Sequence, residues 1–409
     1  MQPSRNRRPI VIGASMATLA AAALALSGCA SGDEPGADPS GSSASHVRIT
    51  LTNDGSSDTC TLDHTSAKAG PVTFTVENKS ATGITEVELQ SDERILGEKE
   101  NLAPGLKPVS FTVTLGGGSY QVYCPGADTE TQKFTVTGKA AATPTGSTQA
   151  LLQQGSKEYA GYVDDQVAGM VAAVAALKTS VDAGDLGTAK KEYAAARPFY
   201  ERIESDVDGF VLPGFKPTDN AGNLDYLIDM RASNLDDAVG WHGFHAVERD
   251  LFQAGAITDS TKKLAAELQT NVGKLETLVK TLGYKPEDLA NGAAGLLEEV
   301  QSEKIKGEEE AFSHIDLVDF AANVEGSKES FAFLKPGLQK IDPALTKQIS
   351  TQFSKVDAML DTYRDPAALG GYKTYTAALR ASDANTMSQT VQALQDPLSR
   401  IAEKVATAQ

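Results

Sequence analysis

The spacing of apolar residues changes once along this chain, and that change constrains the fold more than any other feature. From His46 to Gly138 apolar and polar residues alternate: Val47, Ile49, Leu51; Val72, Phe74, Val76; Val109, Phe111, Val113; Tyr120, Val122, Cys124; Phe134, Val136. Period two belongs to strands with one buried face. Ala69-Gly70-Pro71, Ala103-Pro104-Gly105 and Gly116-Gly117-Gly118 separate the runs as turns. Several short strands at this spacing predict a small β-sandwich over 46–138. Residues 139–150, with Pro144 and Gly146, read as a linker. Beyond them Ala, Leu, Lys, Glu and Gln dominate, and apolar residues recur at intervals of three and four. Helices are expected at Leu151–Asp182, Leu186–Gly209, Phe244–Phe252, Thr261–Leu282 and Leu345–Tyr363. Pro286-Glu287-Asp288 opens a further helix, and Gly283 closes the one before it. The expected class is therefore multidomain, all-β plus all-α, with an antiparallel helical bundle over 151–409. A chain of 409 residues, 41% hydrophobic, can bury both cores.

Residues 1–28 read as an export signal. Arg5, Arg7 and Arg8 precede an apolar, Ala-rich run from Ile10 to Leu26, too short for a convincing anchor helix. It ends in Leu26-Ser27-Gly28-Cys29, which resembles the bacterial lipobox, so Cys29 is expected to carry lipid and tie the chain to a membrane. The paired Arg7-Arg8 leaves the twin-arginine route open beside the general one. Residues 29–45, rich in Gly, Ser, Asp and Pro, form a flexible tether. Two of the three cysteines then remain, Cys60 and Cys124, and an even pair in an oxidising compartment favours a disulfide. The formal charge of −17, from 54 acidic and 37 basic residues, makes nucleic acid a poor partner and cations good ones.

The most informative stretch of the helical part is Trp241-His242-Gly243-Phe244-His245-Ala246-Val247-Glu248. On a helix His245 and Glu248, three apart, share a face with Phe244 and Leu251, so both can point at one ion. A carboxylate there must be paired or hold a metal. The plainer possibility is a histidine hydrogen-bonded to its neighbouring glutamate. A second pair lies in Tyr200-Glu201-Arg202-Ile203-Glu204, where Glu204 falls inside the apolar stripe Tyr200, Ile203, Val207 and Glu201 flanks it. Carboxylates and histidine facing each other from separate helices are how bundles build iron sites. The alternative for Glu201 is a solvated acidic face. Glu308-Glu309-Glu310 would ordinarily be solvated too, whereas Asp316 and Asp319, among Phe312, Ile315 and Phe320, point to burial with partners.

Gly243-Phe244-His245-Ala246-Val247-Glu248 resembles the Gly-x-His-x-x-Glu signature of imelysin-like domains. The stretches Gly292–Val300, Lys304–Glu309 and Ser313–Val324 resemble the EfeO-type family of iron-uptake lipoproteins, in which a cupredoxin-like domain precedes the imelysin-like one. The resemblance covers nearly the whole chain after the signal. It implies an iron site built from Glu201, Glu204, His245 and Glu248, with an Asp best matched by Asp229 and a late Glu at Glu308 or Glu309, of which Glu309 is carried forward. Between Glu204 and Asp229 the chain departs from the family pattern at Pro213-Gly214-Phe215-Lys216-Pro217. One imidazole with several carboxylates suits iron, as Fe2+ or Fe3+, and also manganese or zinc.

In the sandwich, blue-copper chemistry is disfavoured: the segment has no Met, and no His follows Cys124. The resemblance offers a second metal site there instead, from Cys60, Glu86, Glu98 and Cys124, for copper, zinc or ferric iron. Those cysteines are equally compatible with a disulfide. The resemblance implies capture of iron outside the cytoplasm and delivery to a membrane permease, with a haem peroxidase as a further partner in the same system. The alternative is a metal-dependent peptidase. Against it, His-Glu-x-x-His would place a second His one turn on, whereas Arg249 follows Glu248 directly.

Overall fold

The computed structural model describes residues 44–91, 94–139, 145–207, 210–216 and 218–408. The expected signal, Cys29 and nearly all of the expected tether lie outside them. Among the described residues, nine strands form two facing sheets. Strands β1 (Ser45–Asn53), β2 (Asp58–Leu62), β4 (Gly70–Asn78) and β7 (Val109–Leu115) make one, in the order β2-β1-β4-β7. The other runs β3-β9-β8-β5-β6, from β3 (Ser66–Lys68), β5 (Val87–Ser91), β6 (Arg94–Lys99), β8 (Gly118–Tyr123) and β9 (Thr131–Thr137). The alternating residues Val47, Ile49, Leu51, Phe74, Phe111, Val122 and Phe134 fill the space between them. Phe74 stacks on Phe111 and meets Phe134 edge-on, both with centroids 5.2 Å apart. Strand β5 escapes period-two reading because Glu88 and Gln90 are buried along with Val87 and Leu89, and β6 because its first five residues are all half-buried.

The helices are α1 (Ser147–Ala183), α2 (Leu186–Glu201), α3 (Glu204–Val207), α4 (Leu224–Asp229), α5 (Gly243–Glu248), α6 (Asp259–Val279), α7 (Pro286–Glu299), α8 (Asp316–Ile341), α9 (Pro343–Asp361), α10 (Ala377–Leu398) and α11 (Ile401–Ala406). α1 packs on α2, α6 and α8, and α7 packs on α8. Pro286 stands at the first position of α7, and Asp288 accepts the Lys285 amide at 2.8 Å. α6 stops at Val279, so Gly283 does not cap it; Thr281 and Leu282 tighten the exit with bonds to the carbonyls of Leu278 and Val279.

Two expected helices are interrupted, both at the site. The stretch 186–209 ends its first helix at Glu201, where Ile203 bonds back only to Tyr200, and resumes at Glu204. The stretch 244–252 passes from α5 into a π-turn over Arg249–Gln253. A second π-turn, Val300–Lys304, extends α7. Such turns insert an extra residue and concentrate at functional sites.

The sandwich and the bundle form one compact unit. Lys99 Nζ lies 2.6 Å from Glu298 Oε1, with both side chains almost wholly buried. Asn291 brackets Thr112 with its amide, and Lys285 reaches the Thr114 carbonyl at 2.7 Å. No helix among the described residues is long and apolar enough to cross a membrane.

Candidate metal centre

Gly243 brings α5 to the end of α4. Its φ is +68°, and a Cβ there would stand 2.1 Å from the Ile228 carbonyl oxygen, so a side chain is excluded twice over. That contact puts Asp229 beside His245. The His245 Nε2 lies 3.4 Å from Asp229 Oδ1 and 3.1 Å from Glu309 Oε1, and the three form a buried group able to hold a cation. On the other side of the ring, Nδ1 lies 2.9 Å from Glu248 Oε2. The second oxygen of Glu248 accepts the amides of Phe312 at 2.8 Å and Ser313 at 2.6 Å. Glu248 thus orients the ring and Nε2 faces the carboxylates, an arrangement common around metal-binding histidines, while His245, Glu248 and Glu310 form a second buried group close enough for one ion.

Glu201 and Glu204 do not join the histidine. They converge on Lys304, whose Nζ lies 3.2 Å from Glu201 Oε2, 3.1 Å from Glu204 Oε2, 3.3 Å from Glu309 Oε2 and 3.8 Å from Glu299 Oε2. Arg231 approaches the same group, 3.1 Å from Glu299, 3.5 Å from Glu309 and 3.8 Å from Glu204. The six residues expected to surround one ion thus fall into two lobes joined by Glu309, one oxygen in each. Between the lobes lies Arg197. It is fully buried with its guanidinium 5.1 Å above the Phe244 ring, and pairs with Glu201, Asp229, Glu309, Glu310 and Asp319.

The electrostatics follow from this division. Burial opposes ionisation of Glu309, but Lys304, the His245 hydrogen bond and Arg231 outweigh it and hold the carboxyl well below its usual range. Burial pushes Glu201 up to about 8 against the pull of Lys304 and Arg197, and pushes Glu310, beside Glu248, up to about 8. Burial also raises Glu204 and Asp319 strongly. Asp319 Oδ1 is buried without a hydrogen-bond donor, and Glu201 Oε2 has the Lys304 ammonium 3.2 Å away outside hydrogen-bond geometry. Such oxygens are what an entering cation would satisfy.

Sequence reasoning missed Arg197, Lys304, Tyr193 and Glu310 as members of this cluster. A signal existed for Arg197, since the spacing Tyr193, Arg197, Tyr200 puts a guanidinium inside an apolar stripe. Tyr193 donates to Glu310 Oε1 at 2.8 Å. Glu308 is exposed, whereas Glu309 and Glu310 are buried. Glu201, which a flanking position left open to solvent, is fully buried, as are Asp316 and Asp319.

The second expected site changes character. Cys60 and Cys124 are disulfide-bonded. Bonded sulfurs carry no thiolate, so they are not available as ligands in this form, and the copper expectation loses its soft donors. Glu86 and Glu98 instead group with Glu88, close enough for one ion. Burial, with the Glu86 and Glu98 charges, pushes Glu88 up to about 10. The three line a cleft of about 840 Å³ between sandwich and bundle, which Glu100, Asp225, Arg231, Glu303 and Glu308 also border.

This pairing of a strand-built domain with a helical one that buries Gly-x-His-x-x-Glu against acidic helices defines a class. Residues 155–401 match the Imelysin family model, and the chain belongs to that family. Along most of its length it is similar to the iron uptake system component EfeO of Escherichia coli strain K12, 33% identical over 360 residues that cover 87% of this chain and 90% of that one. EfeO of Shigella flexneri matches to the same extent. EfeO of Escherichia coli strain CFT073 is 34% identical over 338 residues, covering 81% and 85%. The chain is thus an EfeO-type imelysin protein.

Proposed function

We propose that this protein is an iron-binding lipoprotein, tethered through Cys29 outside the cytoplasm, that captures iron and delivers it to a membrane permease. The curated relatives named as iron uptake components support this reading, as does the predicted lipobox. A haem peroxidase of the same system is the further partner it implies. The observation that carries the reading is the convergence of Asp229 and Glu309 on His245 Nε2 in a buried cluster that still contains a carboxylate oxygen, Asp319 Oδ1, without a donor. His245, Asp229 and Glu309 would ligate, with Glu201 and Glu204 supplying further oxygens and Glu248 orienting the ring. Imidazole with carboxylates suits iron, and equally manganese or zinc.

At the cleft, Glu86, Glu88 and Glu98 supply an all-oxygen cation surface, suited to hard ions rather than copper. The sandwich itself is read as cupredoxin-like in ancestry without the copper ligands. The peptidase alternative rests on the family's association with that activity. It needs a free general base beside the metal, and both oxygens of Glu248 are already engaged.

The test is iron stoichiometry and affinity by anaerobic calorimetry on the exported domain pair. Replacing His245 and Asp229 by Ala should remove the high-affinity site. Unchanged stoichiometry and affinity would refute the assignment.

A further inference from the structure

Lys304 stands where a cation would be expected. Its fully buried ammonium is surrounded by oxygens of Glu201, Glu204, Glu299 and Glu309, three of them at 3.1–3.3 Å. Neither lysine nor four glutamates are cheap to bury, and each stabilises the other. Metal–carboxylate distances are about 2.0–2.2 Å for zinc-like ions, so the same oxygens would need to close in by roughly 1 Å around an ion at that point. Two observations separate Lys304 from an ordinary buried ion pair. It is the last residue of the π-turn Val300–Lys304, a helix defect that carries one extra residue. And the chain opens to the cleft immediately around it, since Glu303 and Lys306 line that space. Reverting the π-turn to α-helix would rotate the following side chains by about 100° about the helix axis. Arg197 has no such freedom, being stacked on Phe244 and clasped by five carboxylates.

We infer that Lys304 is an exchangeable resident cation: it holds Glu201, Glu204 and Glu309 together in the metal-free protein and leaves for the cleft when iron enters. The inference rests on the iron-binding reading and extends it. Affinity is then the difference between metal and ammonium in one carboxylate cage. Return of the ammonium helps expel the ion at hand-over, so the site can be selective and still release its cargo.

Reductive methylation of the intact wild-type protein with formaldehyde and cyanoborohydride, read by mass spectrometry, tests this. Samples are metal-free or saturated with ferrous iron under nitrogen, and bound iron is measured on each. Lys304 should resist labelling without iron and, with iron, label at a rate approaching that of Lys328, whose side chain is 49% exposed. Bound iron with Lys304 still protected overturns the exchange alone. Absence of bound iron overturns it together with the proposed function. As a second measure, Lys304→Met should bind ferrous iron at least about tenfold tighter and release it more slowly, since the competing charge is gone. Unchanged or weaker binding by a folded Lys304→Met protein also overturns the exchange; should that variant not fold, the wild-type labelling decides.

Discussion

His245 and Glu248 face each other before they face anything else: Nδ1 and Oε2 are 2.9 Å apart, and the remaining Glu248 oxygen is held by two backbone amides. A glutamate so placed sets the tautomer and angle of the imidazole and leaves Nε2 toward Asp229 and Glu309.

Glu248→Gln should therefore keep the iron stoichiometry and weaken affinity about 10- to 100-fold, the usual effect of losing a partner that orients a ligand. Equilibrium dialysis checks it. Complete loss of the site would instead make Glu248 a direct ligand.

Gly243→Ala tests the approach of α5 to α4. The added methyl meets the Ile228 carbonyl at 2.1 Å in a left-handed backbone. The backbone strain alone is of order 1–3 kcal/mol, and the clash adds to it. Urea denaturation should show the loss, and iron affinity should fall because Asp229 is displaced from His245.

The pH dependence of the metal-free protein has a definite sign. Glu201 and Glu310 rise from 4.5 to about 8 on folding, chiefly through burial. The native state thus holds protons that the unfolded chain has released, and stability falls as pH rises from about 4.5 through about 8. Thermal melts of the metal-free protein across that window should show a declining Tm. Iron taken up by Glu201 must displace its proton, so affinity should rise over the same window.

The Cys60–Cys124 bridge closes a loop with a sequence separation of 64. Chain-entropy arguments give about 4 kcal/mol of stabilisation for a loop of that length, so reduction should lower the sandwich's denaturation midpoint substantially. Copper added to the oxidised protein should give no intense thiolate absorption in the visible range. Appearance of such a band before reduction would restore the cysteines as ligands.

The division into strands and helices was legible because Val47, Ile49 and Leu51, like Tyr193 and Tyr200, obey the period of the element they occupy. Strand β5 was not, because Glu88 and Gln90 are buried and break the alternation. In the cluster, His245, Glu248 and Glu204 stood out as polar residues on apolar faces. Glu309, reached only through the family resemblance, and Glu310, missed altogether, sit inside a run that composition reads as solvated. The resident cations were hardest to see, since Lys304 enters the cluster through a π-turn that no regular spacing encodes.

Glu298 and Glu299 are consecutive. The first grips Lys99 of the sandwich, and the second belongs to the carboxylates around Arg231 and Lys304. A single peptide unit thus couples the seam between domains to the cage. A displacement of Lys99 would therefore be felt at the Lys304 carboxylates across one residue step of α7.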